Sequence, residues 1–177
     1  FYYSPIRQTG KVVFVRQAKL LTRAPWGGII REENTVRQGG KILLITRLLD
    51  PVKDRTAYTE AATLLRAGEV VGMPTETVYG LAANALDGKA VAKIFAAKGR
   101  PQDNPLIVHI ADQKQMYDLA RTVPESAEKL ASRFWPGPLT MILPKADCIP
   151  DEVSARMYTL AFRLPCHPDA RELIHVA

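Results

Sequence analysis

MPTETVYGLAANALDGKAVAKIFAAKGRPQDNPLIVH, residues 73 to 109, runs from the end of one apolar strand to the end of another. VVGM, residues 70–73, reads as a buried strand that Pro74 stops, because proline brings no N–H to a ladder. Asp87 fits the N-cap of a helix, where its short carboxylate can accept from the first free backbone N–H groups, and Val91, Ile94 and Phe95 share one face of that helix. Gly99 suits the left-handed residue that closes it, which leaves Lys98 in the last turn and Arg100 just beyond. PLIVHI, residues 105–110, is the next strand, with Ile107 and His109 on the face opposite Leu106, Val108 and Ile110.

The same rhythm continues on both sides. KILLITRL (41–48) is a strand, and Thr56 to Ala67 is a helix with Tyr58, Ala61, Ala62 and Leu65 on one face, ended by Gly68. A helix follows Asp112, carrying Met116, Leu119 and Ala120, and another opens at Pro124 with Ala127, Leu130, Ala131 and Phe134 at helical spacing. LTMIL (139–143) and YTLAFRL (158–164) are strands, and Pro168 opens a last helix with Ala170, Leu173, Ile174 and Ala177. Strands alternating with helices, and apolar runs too continuous for a half-exposed sheet, imply an α/β fold with a largely buried sheet. The sequence stops inside that last helix, so the sheet is expected to be incomplete at the C-terminus.

A chain of 177 residues that is 47% hydrophobic suits one soluble domain with a sizeable core. No apolar run approaches the roughly 20 residues needed to cross a bilayer, and no secretory signal is present, so the expected location is cytoplasmic, with no membrane partner. Cys148 and Cys166 have no metal-binding or disulfide-framework spacing and are expected to be reduced thiols. The net charge of +6 sits entirely in residues 1–45, which hold eight Lys/Arg and two acidic residues; the remainder holds sixteen of each. Residues 1–41 mix aromatics, basic side chains and Gly pairs without a sustained period, and read as a poorly ordered basic leader in which VVFV (12–15) is a lone strand. The first residue is Phe1 rather than Met, so this leader is read as part of a longer protein or as foreign to the domain, which spans 42–177.

Several stretches carry chemistry. PTETVYG places Thr75, Glu76, Thr77 and Tyr79 at the end of a buried strand, where open α/β sheets hold ligands. Hydroxyls there suit the ammonium and carboxylate of an amino acid, although threonines also satisfy backbone groups in ordinary turns. KGRPQDNPL sets Lys98 and Arg100 two residues apart, stiffened by Gly99, Pro101 and Pro105, as a phosphate grip requires; a solvated basic loop is the alternative. His109 lies in an apolar strand, where a hydrogen-bonded core histidine and a ligand contact are both open. WPGPLT (135–140) is a rigid turn before a strand. In TLAFRLP, Thr159 and Arg163 lie on one face about 13 Å apart, and an arginine in so apolar a strand calls for an anionic partner. GxxxxGK[ST], GxGxxG, HExxH and GxSxG are all absent, which argues against a Walker-type phosphate loop, a protein-held zinc and a serine nucleophile.

PTETVYGLAANA, KGRPQDNPLIVHI, WPGPLT and TLAFRLPCHP, in this order, closely resemble the YrdC/Sua5 family of threonylcarbamoyl-AMP synthases from about Arg47 onward. The resemblance implies a twisted, mixed sheet flanked by helices (YrdC/RibB-like) around a cationic cavity. It implies a nucleotidyltransferase that joins L-threonine, bicarbonate or CO2, and ATP into L-threonylcarbamoyladenylate and pyrophosphate, in service of N6-threonylcarbamoyladenosine at tRNA position 37. Carried over by residue, Thr77, His109 and Arg163 would contact threonine, with Thr75 and Tyr79 shaping its pocket; Lys98, Arg100, Asn104 and Thr159 would contact ATP. Mg2+ would enter with the nucleotide, and tRNA or the transferase that completes the modification would be partners. The family continues past this point to a Ser-Ala-Asn loop beside the nucleotide, whereas the sequence stops at Ala177; the expectation is that this chain by itself binds nucleotide weakly or not at all.

Two other readings compete. A basic cavity in this fold, with the cationic leader, could hold RNA without adenylate synthesis, and such binding would weaken steeply with salt. A carbamoyltransferase subdomain of the hydrogenase-maturation type shares the fold, but those proteins place zinc-finger segments before it and residues 1–41 contain no cysteine.

Overall fold

The computed structural model describes residues 12–15, 46–76, 79–99 and 101–177. Its architecture is mixed α/β, with helices flanking strands as expected, but the strands divide between two sheets.

The first sheet is antiparallel throughout. It contains β1 (Val12–Val15), β2 (Thr46–Leu49), β3 (Val70–Met73) and β4 (Gly80–Ala82), in the order β2-β1-β3-β4. VVFV is therefore not a lone strand: β1 pairs with β2 on one side and β3 on the other. The rest of the expected leader, and the first half of KILLITRL, lie outside the described residues. Helices α1 (Ala57–Arg66) and α6 (Pro168–Val176) pack together beside this sheet. Ala57, Ala61, Ala62, Ala170 and Leu173 join Leu49, Val71 and Met73 in one apolar cluster. Alanines at that contact let helix and sheet approach closely. Gly68, at φ +75°, turns the chain from α1 toward β3 in the left-handed region that glycine enters without steric cost. Tyr58 Oη donates to Asp169 Oδ1 at 2.6 Å across α1 and α6; burial, then that carboxylate, pushes the phenol pKa up to about 12.

The second sheet is mixed. Strands β5 (Ile107–His109), β6 (Met141–Pro144) and β7 (Thr159–Arg163) lie in the order β5-β7-β6, with β5 parallel and β6 antiparallel to β7. One face carries Val108, Met141, Leu143, Leu160 and Phe162. Helices α2 (Gly88–Lys98), α3 (Gln115–Leu119), α4 (Glu125–Phe134) and α5 (Asp151–Ser154) contribute Val91, Phe95, Met116, Ala127, Ala131 and Val153 to the same core. Asp87 caps α2, its carboxylate accepting from Lys89 N at 2.9 Å and Ala90 N at 3.3 Å, and Gly99 closes it at φ 60°.

Three expectations need correction. The helix after Asp112 begins only at Gln115, because the Gln115 side chain first accepts from the backbone N–H of Ala111 and Asp112 and holds the chain in a turn. In α4 only Ala127 and Ala131 face the core, whereas Leu130 and Phe134 are exposed, so the helix rests on a narrow alanine stripe. Finally, among the described residues, helices cover only one face of the mixed sheet. Burial alternates along β6, and Ile142 is 68% exposed, because the four helices of this half share one core face. LTMIL is apolar at both parities, so periodicity could not separate its two faces. Among the described residues, no helix is long and apolar enough to cross a membrane.

Candidate functional site

The face of the mixed sheet opposite its core is built by strand alternation alone. Leu160 and Phe162 of β7 point into the core, so Thr159, Ala161 and Arg163 take the other face. Pairing register extends each into a row across the sheet. Arg163 stands opposite His109, Ala161 stands between Ile107 and Ile142, and Thr159 stands opposite Pro144. The surface thus has an arginine–histidine row at one end, a threonine at the other, and an apolar strip between them.

At the arginine end, side chains from three separate segments converge. Arg163 Nε donates to Thr140 Oγ1 at 3.0 Å, and its Nη1 lies 3.5 Å from Glu76 Oε1. The two charged side chains are only 17% and 12% exposed. Glu76 arrives from the turn after β3; Thr140 arrives from WPGPLT. That turn is held by Trp135 Nε1 donating to Leu139 O at 2.7 Å and by Gly137 N donating to Leu164 O at 2.8 Å, and the Trp135–Pro136 peptide is cis. A Cβ at Gly137 would lie 2.5 Å from Phe134 O, so no larger residue fits there without moving backbone. The second carboxylate oxygen, Glu76 Oε2, is buried and has no hydrogen-bond partner among the described residues.

His109 is half-buried beside this pair. Burial lowers its pKa below the ordinary 6.5, the Arg163 charge adds to that effect, and a backbone contact and Glu76 oppose it. Its Nδ1 lies 3.2 Å from Ile107 O. A neutral ring donating from Nδ1 to that carbonyl keeps Nε2 as an acceptor. The row therefore presents a planar cation for a carboxylate or phosphate, next to a neutral imidazole whose Nε2 is left as an acceptor.

Of the residues singled out in the sequence, His109 and Arg163 are brought together as register partners, and Thr159 lies on their face two rows away. Lys98 ends α2 as an exposed cation, and Asn104 is exposed in the loop that leads from there to β5. Thr75 is half-buried and Tyr79 is 37% exposed, on either side of the turn that carries Glu76. Thr77 and Arg100 lie outside the described residues. Two contributors were missed. The sequence alone gives Glu76 no role, although the anionic partner that Arg163 demands is the signal for it. Thr140 reads from the sequence only as the end of a rigid turn. Among the described residues, no group of three or more His, Cys, Asp or Glu is placed to hold a metal ion.

Comparison with known proteins bears on the family and the fold. The Sua5_yciO_yrdC family model, described as "Telomere recombination", matches residues 63–177. The threonylcarbamoyl-AMP synthase of Pyrococcus abyssi is 55% identical over 117 residues, covering 66% of this chain and 34% of the relative. That of Bacillus subtilis is 59% identical over 116 residues, covering 65% and 34%. The chain thus spans about a third of the length of these curated relatives. The crystal structure of P. abyssi Sua5 complexed with L-threonine superposes with a TM-score of 0.68 at 52% identity, covering 70% of this chain and 36% of that one. By the match over residues 63–177, this chain belongs to the Sua5/YciO/YrdC family.

Proposed function

We propose that this chain forms the substrate-binding part of an L-threonylcarbamoyladenylate synthase, acting in the cytoplasm on L-threonine, bicarbonate or CO2, and ATP, in the path to N6-threonylcarbamoyladenosine in tRNA. The observation that carries the reading is the Arg163–His109 row with Glu76 against it: a part-buried cation, a neutral acceptor and an anion on one open face suit a zwitterionic amino acid. Relatives named for this activity, and a threonine complex of one of them, support it. Thr77, His109 and Arg163 would hold threonine, while Lys98, Arg100, Asn104 and Thr159 would hold ATP, which brings its own Mg2+.

No protein nucleophile is required. The amine of threonine adds to CO2 and releases a proton, and the resulting carbamate oxygen attacks the α-phosphorus of ATP and expels pyrophosphate. Carbamates hydrolyse readily, so the chain's contribution is to hold both partners in attack geometry, worth on the order of 7 to 11 kcal/mol. Lys98 and Arg100 would offset the charge that develops on the phosphates.

Calorimetric titration of the 177-residue chain with L-threonine should give saturable binding that Arg163→Ala weakens by about tenfold or more, the scale of a charge-assisted hydrogen bond. Pyrophosphate release from ATP should require both threonine and bicarbonate, and Arg100→Ala should abolish it with the unfolding midpoint unchanged. Release that is indifferent to threonine would contradict the reading.

A further inference from the structure

We infer that Glu76 is a substrate-binding residue of this site, accepting a hydrogen bond from the α-amino group of the amino acid while Arg163 takes its carboxylate. The inference rests on the threonine reading above and deepens it: that reading counts Glu76 as an anion beside Arg163 but does not name it among the residues that hold threonine.

The geometry asks for such a role. Glu76 Oε1 faces Arg163 Nη1 at 3.5 Å, longer than a well-made charge-assisted hydrogen bond. Arg163 is not oriented by Glu76 alone, because its Nε already donates to Thr140 Oγ1 at 3.0 Å. A carboxylate kept only to neutralise the arginine would sit closer and satisfy its second oxygen. Instead Oε2 is sealed from water with no donor among the described residues. Leaving a buried charged acceptor unpaired is costly, and a ligand that donates to it recovers that cost. The terminal carboxyl torsion of glutamate is broad and roughly two-fold, so a small swivel can turn the second oxygen toward the open face while the first stays near Arg163.

The other groups nearby leave this role to Glu76. His109 is held toward its neutral form, with Nδ1 at the Ile107 carbonyl, and Arg163 can only donate. Glu76 is therefore the one anionic acceptor in the described cluster. Its partner stays available throughout the reaction: an ammonium, a neutral amine and a carbamate nitrogen each keep at least one N–H to donate. An acceptor at this point fixes the amine without having to let go when the carbon–nitrogen bond forms. It also distinguishes an amino acid from the same acid without its amine, which has nothing there to donate.

Two ligands that differ only in the amine provide the test: L-threonine and (R)-3-hydroxybutyrate, titrated calorimetrically into the wild-type chain, Glu76→Gln and Glu76→Asp. The wild type should bind threonine about tenfold or more tightly than the hydroxybutyrate. In Glu76→Gln that preference should fall to about threefold or less, with hydroxybutyrate affinity little changed, and Glu76→Asp, which keeps the charge, should recover part of it. A preference that survives intact in Glu76→Gln overturns the role of Glu76 and leaves the threonine site standing. Equal loss of both ligands shows that Glu76 only props Arg163, which also overturns it. Failure of the wild type to bind either ligand removes the threonine reading and the inference with it. Thermal unfolding of each variant separates lost binding from lost fold, and Glu76→Asp decides the matter if Glu76→Gln does not fold.

Discussion

The two sheets of this molecule use apolar residues in opposite ways. In the antiparallel sheet β3 is buried at all four positions, and its neighbourhood is closed by the alanine-rich contact of α1 and α6. The mixed sheet is covered by helices on one face, and its other face keeps Ile107 and Ile142 exposed between the Thr159 and Arg163 ends. Both halves are rich in Val, Ile and Leu, so hydrophobicity does not tell them apart. What differs is where charge is placed. Arg163 and Glu76 meet each other on the open face of the mixed sheet, whereas β3 of the antiparallel sheet carries no polar side chain at any of its four buried positions.

This contrast can be broken at three points of decreasing effect. Phe162 is fully buried in the mixed-sheet core, one residue from Arg163, so Phe162→Ala should cost about 3 to 5 kcal/mol, read from the denaturant midpoint. A smaller loss would mean that this core is loosely packed. The next effect depends on pH. The folded-state pKa of His109 lies below the unfolded value of 6.5, so the unfolded chain binds the extra proton first. Its contribution to stability is complete above pH 6.5 and falls as pH drops through the folded pKa. The melting temperature should therefore decline on acidification below about 6.5, less so in His109→Asn; an identical decline in the variant would put the titrating group elsewhere. The smallest effect belongs to Ile142, for which Ile142→Ser should shift stability by only about 0.5 kcal/mol, as at ordinary surface positions. A shift of core size would show that the face is covered in solution.

Much of the local structure was legible because its causes are local. The Asp87 cap, the left-handed Gly99, the Gly68 turn and the proline opening α6 each follow from one residue and its nearest backbone groups. The facing of Ile107 and His109 followed from strand alternation. Pairing was not legible. β1 inserts between β2 and β3, and β5 lies parallel to β7 across about fifty residues of intervening chain, contacts that no window of sequence contains. The candidate site was half legible for the same reason. Arg163 and His109 drew notice as polar residues in apolar strands, but their adjacency depends on register. Glu76 and Thr140 looked like turn residues until the fold carried both turns to the same guanidinium.

The glycine at position 137 has a consequence beyond its own turn. Because a methyl group there would strike the Phe134 carbonyl, the elbow keeps this shape only with glycine at 137, and Thr140, three residues on, is placed by that elbow. A residue with no side chain thereby helps to set how the Arg163 guanidinium is held, and a scan that ranked positions by the chemistry they carry would pass over it.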